Sequence, residues 1–98
     1  MPSYHLTNKA IQDLEDIWNY TIEEWSENQA DKYYFSLINS FNTIVNNPQI
    51  GKNYNQIKSN LLGHLHNQHI IFYIILPNKD IKIIRILHGR MDLDSKKY

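Results

Sequence analysis

The chain has no cysteine, and only three glycines and three prolines among its 98 residues. Without cysteine, neither disulfide bonds nor thiolate metal sites contribute, which is compatible with a reducing cytosol. The low glycine and proline content, together with 42% hydrophobic and 12% aromatic residues, excludes a disordered or fibrous chain. At this length we expect a single domain over residues 1–98 with one core.

The sequence also lacks long apolar runs. No stretch approaches the ~20 apolar residues of a membrane span. The N-terminal segment carries acidic and polar groups where a signal peptide needs an apolar core. We therefore expect a cytoplasmic protein with no membrane partner.

Arginine is scarce, since only two of the ten basic residues are arginines, Arg85 and Arg90. Both lie in RILHGRMD at 85–92. The charges are segregated: residues 1–51 hold two lysines and seven acids, and residues 52–98 hold eight basic residues and three acids. A basic half can attract phosphates or an acidic protein surface, whereas solvated charge distributed by chance needs no partner.

Helical periodicity dominates the first half of the chain. Apolar residues recur at helical spacing from Thr7, a good N-cap, to Trp25, and predict a helix over 8–25 whose other face, including Asp13, belongs in water. Ser26 and Gln29 have the spacing of a capping box and predict that a second helix begins there and ends before Pro48. With almost no loop between them, the helices must form an antiparallel hairpin.

Extended segments flank the hairpin. A short strand is predicted at 4–6, and after a polar connection at 49–60 three more follow at 61–66, 69–76 and 81–88. The predicted fold is α+β with the order β-α-α-β-β-β, in which the helical hairpin covers one face of a small, mainly antiparallel sheet. Strict alternation places Ile83, Arg85 and Leu87 on one face of the last strand. Because neither face is polar, we expect the open face to be covered by another chain or by the C-terminal tail.

Five segments together resemble the ParE branch of the RelE/ParE superfamily of toxin–antitoxin toxins. They are YHLTNKAIQDLEDIWNYTIEEW at 4–25, QADKYYFSLINSF at 29–41, NPQIGK at 47–52, HIIFYIIL at 69–76 and IIRILHGRMD at 83–92. The resemblance covers nearly the whole chain. It implies the toxin of a type II system that inhibits DNA gyrase, blocks replication, and is neutralised by a ParD-like antitoxin.

The other branch of this superfamily, the RelE-like enzymes, cleaves mRNA on the ribosome. Such cleavage needs an acid, a base and cations that hold charge on the scissile phosphate. A reduced catalytic set would be Arg85, His88, Arg90 and Tyr73, but these cations are few for a nuclease. The sequence therefore favours a binding poison over an mRNA interferase, with an inactive antitoxin ligand as a third possibility. We expect no cofactor and no sequence-specific nucleic-acid binding by the toxin alone.

Two surfaces are predicted by residue. Because the planar fork of an exposed arginine binds carboxylate or phosphate at two points, we assign target binding to the end of the last strand: Arg85, His88, Arg90, Met91 and Asp92. The structural alternative is an ion pair of Asp92 with Arg85 or Arg90. Antitoxin binding is assigned to an aromatic and aliphatic set: Trp18, Trp25, Tyr34, Ile84 and Ile86.

Three histidines raise the question of a metal site. His64 and His66 share a strand face and His69 follows closely, but there is no cysteine or nearby acid to complete a zinc site. We therefore predict no metal.

Overall fold

The computed structural model describes residues 2–89. Its helices are α1 (Asn8–Glu24) and α2 (Glu27–Asn46), and its strands are β1 (Tyr4–Leu6), β2 (Lys52–Asn53), β3 (Leu62–His66), β4 (His69–Ile75) and β5 (Ile81–His88). A short 3-10 turn at Pro48–Ile50 follows α2. Within this part of the chain, neither helix has the length and apolar character needed to cross a membrane.

Hydroxyl groups cap both helices where the sequence predicts them. The Thr7 side chain accepts a hydrogen bond from the Ala10 amide at 3.1 Å, and Ser26 accepts one from the Gln29 amide at 3.0 Å. Each bond satisfies an amide that has no partner inside its helix. The two caps fix where the helices begin and separate them by a two-residue connection at 25–26.

The five strands form one mixed sheet in the order β1-β5-β4-β3-β2. Strands β2 to β5 pair antiparallel in chain order, and β1 adds to β5 in parallel. The predicted arrangement of a helical hairpin on a mainly antiparallel sheet is confirmed. Strand β2 was not predicted, because its two residues lie in a polar stretch without alternation.

The main core lies between the helices and the sheet. It is built from these buried residues: Ala10, Leu14, Leu37, Phe41, Ile44, Ile71, Tyr73, Ile81, Ile83 and Ile86. Burial of each large apolar side chain contributes roughly 1.5–3 kcal/mol. This cluster holds the hairpin against the central strands.

A second cluster occupies the opposite face of the sheet. Its buried residues are Leu61, Ile70, Phe72 and Leu87. The segment 54–61 lies over them, with the Tyr54 ring edge-on to Phe72 at 5.2 Å between centroids. The chain's own connection therefore covers much of the face that we expected another chain or the tail to cover.

A β-bulge interrupts β5. Phe72 pairs with Arg85 and the next residue, Tyr73, pairs with Ile83, so Ile84 is an extra residue in β5. The pairing register shifts by one at this point, which inverts the alternation of side chains for the rest of the strand.

The bulge changes which residues of β5 share a face. Ile83 and Ile86 both belong to the core under the helices, whereas Ile84 packs against the second cluster with Leu87. The expectation that Ile83 and Leu87 share a face is wrong, because strict alternation does not allow for the extra residue.

Candidate functional site

A two-point ion pair joins α1 to β5. The Nε of Arg85 donates to Oδ2 of Asp13 at 2.7 Å, and its Nη2 donates to Oδ1 at 2.8 Å. Asp13 is only 9% exposed. The prediction that Asp13 faces water is wrong. The sequence carried a signal, since Asp13 lies three residues after Ala10 and one before Leu14, within the apolar stripe of the helix.

The same carboxylate caps the edge of the sheet. Strand β1 pairs with β5 only as far as Ile83, and beyond it the Thr7 hydroxyl donates to the Ile84 carbonyl at 2.7 Å. Oδ2 of Asp13 then accepts from the Ile86 amide at 2.9 Å. Side chains at the start of α1 therefore take over from β1 where that strand ends, and they hold the second half of β5 in place.

The end of β5 carries the predicted target-binding residues. The His88 ring lies 5.4 Å from the His69 ring, and its Nε2 is 3.2 Å from Oε1 of Gln68. The amide of Gly89 donates to the Gln68 carbonyl at 2.7 Å, so the chain is still hydrogen-bonded to the β3–β4 turn at its last described residue. The other three predicted residues, Arg90, Met91 and Asp92, lie outside the described residues, as does any ion pair with Asp92.

Tyr73 is a core residue. It is fully buried, and its hydroxyl donates to the Pro48 carbonyl at 2.7 Å and accepts from the Gly51 amide at 3.0 Å. Burial raises the pKa of this phenol, and the Gly51 hydrogen bond acts in the opposite direction. Its place in the reduced nuclease set is wrong, because a fully buried hydroxyl that anchors the 3-10 turn cannot reach RNA.

Two serines of α2 fix the tautomer of the His66 ring. The Ser36 hydroxyl donates to the Tyr33 carbonyl at 2.8 Å, so its oxygen must accept the Nε2–H of His66 at 2.9 Å. Nδ1 of the ring is then an acceptor, and the Ser40 hydroxyl donates to it at 2.7 Å. Burial lowers the pKa of His66, and the nearby His64 adds to the effect. The ring is a neutral structural link between α2 and β3.

His69 is joined to the same helix. Its Nδ1 lies 2.7 Å from the Tyr33 hydroxyl. Burial lowers the pKa of His69 to about 4, with further lowering by His88 and His66 and an opposing effect of Asp13. Burial raises the pKa of Tyr33 to about 12, against a hydrogen bond from Asn67. Within residues 2–89, no group of three or more histidines and acids is placed to hold a metal ion.

A cavity of about 790 Å³ opens at this end of the molecule. We call it the terminal groove. Strand β5 contributes His88, the β3–β4 turn and β4 contribute His69 and its neighbours, and the helices supply most of the wall. Its lining residues are Asp16, Ile17, Tyr20, Thr21, Trp25, Gln29, Tyr33, Asn67, Gln68, His69 and His88.

A second depression, of about 620 Å³, lies on the outer side of the hairpin. We call it the helical face, and it is lined by Ile11, Leu14, Glu15, Trp18, Asn19, Asp31, Tyr34 and Phe35. The Trp18 indole donates to Asp31 across the hairpin at 3.4 Å. Phe35, 63% exposed, was missed by the sequence analysis because it falls outside the regular apolar stripe of α2.

The predicted antitoxin residues do not form one surface. Trp18 and Tyr34 lie together on the helical face, whereas Trp25, 75% exposed, lines the terminal groove. Ile84 packs against the second cluster, and Ile86, 2% exposed, is inside the core. The bulge in β5 separates these two isoleucines, and Ile86 is not accessible to a partner.

Comparison with known proteins gives a family match over most of the chain. Residues 4–93 match the family described as ParE toxin of type II toxin-antitoxin system, parDE. The chain is 33% identical over 95 residues to Toxin ParE1 of Mycobacterium tuberculosis, covering 96% of this chain and 97% of that one. It is 29% identical over 92 residues to Toxin ParE1 of Caulobacter vibrioides, covering 94% of each.

Solved structures share the fold. The chromosomal ParDE system from P. aeruginosa contains a chain that matches with a TM-score of 0.75 and 20% identity, covering 90% of this chain and 95% of that one. The toxin-antitoxin complex RelBE2 from Mycobacterium tuberculosis contains one that matches at 0.69 and 14%, covering 90% and 99%. At these identities the likeness concerns the fold alone: two helices packed on a five-stranded mixed sheet.

Proposed function

Because this chain belongs to the family of ParE toxins of type II toxin–antitoxin systems, we propose that it arrests its host by inhibiting DNA gyrase in the cytoplasm. In this proposal the toxin binds gyrase, stabilises a state in which DNA is cut, and blocks replication. A ParD-like antitoxin neutralises it by binding. The toxin needs no cofactor and does not recognise DNA sequence by itself.

The observation that carries this proposal is that the Arg85 guanidinium binds Asp13 of the same chain. An mRNA interferase needs cationic groups that face the scissile phosphate and hold its developing charge. Here Nε and Nη2 of Arg85 both donate to the Asp13 carboxylate, and Tyr73 is buried. Two members of the four-residue nuclease set therefore have structural roles, which supports recognition of a partner rather than cleavage of RNA.

The ion pair also suggests how the proposed gyrase-binding surface is kept in position. Arg85 lies three residues before His88 in β5, and the segment with Arg90, Met91 and Asp92 follows after Gly89. We assign gyrase binding to His88 and that segment. Arg85 then acts as a positioning residue, because its pair with Asp13 ties the end of β5 to α1.

The antitoxin is assigned to the helical face and to Trp25. Tyr34 and Phe35 present exposed aromatic surface there beside the half-buried Trp18, and an amphipathic helix can cover such a surface with its apolar side. One structural relative is described as a ParDE toxin–antitoxin system and the other as the toxin-antitoxin complex RelBE2, which supports a partner of this kind.

The order in which cellular processes stop tests the proposal. The chain is expressed without its antitoxin, and incorporation of labelled thymidine and labelled methionine is followed over time. A gyrase poison stops DNA synthesis first, and protein synthesis continues for a period. Early loss of methionine incorporation, with cuts in mRNA, would instead support the ribosome-dependent endonuclease.

A further inference from the structure

We propose that the terminal groove receives a cationic side chain, arginine or lysine, carried between apolar residues on a segment of the antitoxin. This inference rests on the proposed function, because it takes the antitoxin as the partner. It adds the chemistry by which that partner is recognised at this site.

The charge of the groove supports a cationic guest. Among its described lining residues, Asp16 is the acidic one, and none is lysine or arginine. The residues flanking Trp25 in sequence add Glu23, Glu24 and Glu27 to this end of the hairpin. A groove with this charge attracts a cation and repels a phosphate backbone. The charge of the described lining therefore favours a protein segment over a nucleic acid.

The aromatic rings give the cation a second contact. Asp16 and Tyr20 are four residues apart on α1, so their side chains lie next to each other on one face of the helix. Tyr20 is 63% exposed, and Trp25 is exposed on the same groove. A guanidinium or ammonium group can bind the carboxylate and lie over a ring at the same time.

The remaining wall suits apolar flanking residues. Ile17 and the ring of Tyr33 line the groove beside the histidines. The pKa of His69 is about 4, so this ring is neutral at pH 7 and offers no charge to an anion. The groove thus combines one carboxylate with apolar, amide and aromatic surface, which fits a segment with a single cation between apolar side chains.

Two exposed helical positions provide variants for the test. Asp16 lines the terminal groove, whereas Asn39, exposed on α2, lines neither the groove nor the helical face. The substitutions Asp16→Lys and Asn39→Lys introduce the same side chain at the groove and away from it. A loss caused by Asp16→Lys but not by Asn39→Lys is therefore specific to the groove.

The probe is a library of random 16-residue peptides displayed on phage and selected on the full chain. Selected peptides are then synthesised, and their dissociation constants are measured for the native protein and both variants. We expect enrichment of arginine or lysine flanked by apolar residues. An exposed ion pair with a cation–π contact is worth on the order of tenfold in affinity, which Asp16→Lys should remove.

Three results would overturn the inference. The first is a selection that yields no binders or binders without a cation, and the second is an equal loss of affinity in Asn39→Lys. The third is tighter peptide binding after Lys96→Glu with Lys97→Glu, because the chain's own tail rather than the antitoxin would then be the guest. Growth arrest by Asp16→Lys is measured separately. If the native chain does not arrest growth, the proposed function fails while the selection still reports on the groove.

Discussion

Asp13 and Arg85, on α1 and β5 and 72 residues apart in sequence, form a two-point ion pair that also engages the backbone of β5. Asp13 accepts two hydrogen bonds from the guanidinium and one from the Ile86 amide. One carboxylate thus balances the charge of a partly buried arginine and also accepts a hydrogen bond from a β5 amide that lies beyond the end of β1. The account of the fold and of the recognition surface depends on this contact.

Replacement of Asp13 should therefore lower the free energy of unfolding substantially. Asp13→Ala leaves Arg85 without this carboxylate and the Ile86 amide without its acceptor, and removal of one partner of such a pair costs about 3 kcal/mol or more. Urea denaturation measures the loss. Asp16→Ala, an exposed acid on the same helix, should cost less than ~0.5 kcal/mol.

A double-mutant cycle isolates the pair itself. Asp13→Ala with Arg85→Ala should cost clearly less than the two single substitutions added together, since either single substitution already breaks the pair. Additive costs would show that the two side chains do not stabilise the fold through each other.

Acid should destabilise the chain through His69. Its folded pKa, about 4, lies below the ordinary histidine value of 6.5, so folding favours the neutral ring. This contribution is complete above about pH 6.5 and is lost as the pH falls toward 4. The slope approaches ~1.4 kcal/mol per pH unit at most, reduced by solvent because the ring is only partly buried.

The pH effect is checked by unfolding at pH 7, 5.5 and 4.5. The lowered pKa values of His64 and His66 act in the same direction. His69→Gln should flatten the profile between pH 6.5 and 4. The Ser3 amide and His5 lower the pKa of Asp80, so its contribution to stability is lost only below the ordinary aspartate value of 3.8. Asp80 therefore does not affect the comparison between pH 7 and 4.5. An unchanged profile in His69→Gln contradicts the assignment.

Gly63 is expected to tolerate no side chain. A Cβ there would lie 2.6 Å from the Tyr54 ring, which must then leave Phe72. Gly63→Ala should cost about 1–3 kcal/mol. Gly89→Ala is the control, because its Cβ would meet the Gln68 carbonyl oxygen at 3.4 Å and should cost less than ~0.5 kcal/mol. Equal stability of the two variants would show that segment 54–61 does not depend on this contact.

Tyr73→Phe separates the structural role of this residue from a chemical one. Loss of the hydroxyl removes hydrogen bonds to Pro48 and Gly51 and should lower stability by about 1–2 kcal/mol. Growth arrest should persist at a temperature where the variant is folded. Loss of toxicity in a folded variant would return Tyr73 to a catalytic role.

Much of the fold could be predicted from the sequence, because its main signals are local. The caps at Thr7 and Ser26 and the change from helical to extended periodicity depend on neighbouring residues, and the structure confirms them. The bulge at Ile84 could not be predicted in this way, since it becomes visible only when β4 is paired with β5. The two-residue strand β2 has too few residues to show a period.

The site was harder to predict because its contacts join distant parts of the chain. Arg85 was recognised as unusual, but its partner lies on the face of α1 that was assigned to solvent. The connection at 49–60 was described as polar, although its Tyr54 and Ile57 cover the second cluster. In both cases the contact partner, rather than the residue type, decides whether a side chain is buried.

Purified DNA gyrase and supercoiled plasmid test the central proposal most directly. The full chain is added to gyrase, ATP and plasmid, with the Asp13→Ala variant alongside and a sample in which antitoxin is mixed first. The account predicts that cut plasmid accumulates with the native toxin and not in the presence of antitoxin. Unchanged supercoiling at a large excess of folded toxin, together with mRNA cuts on translating ribosomes, would contradict it.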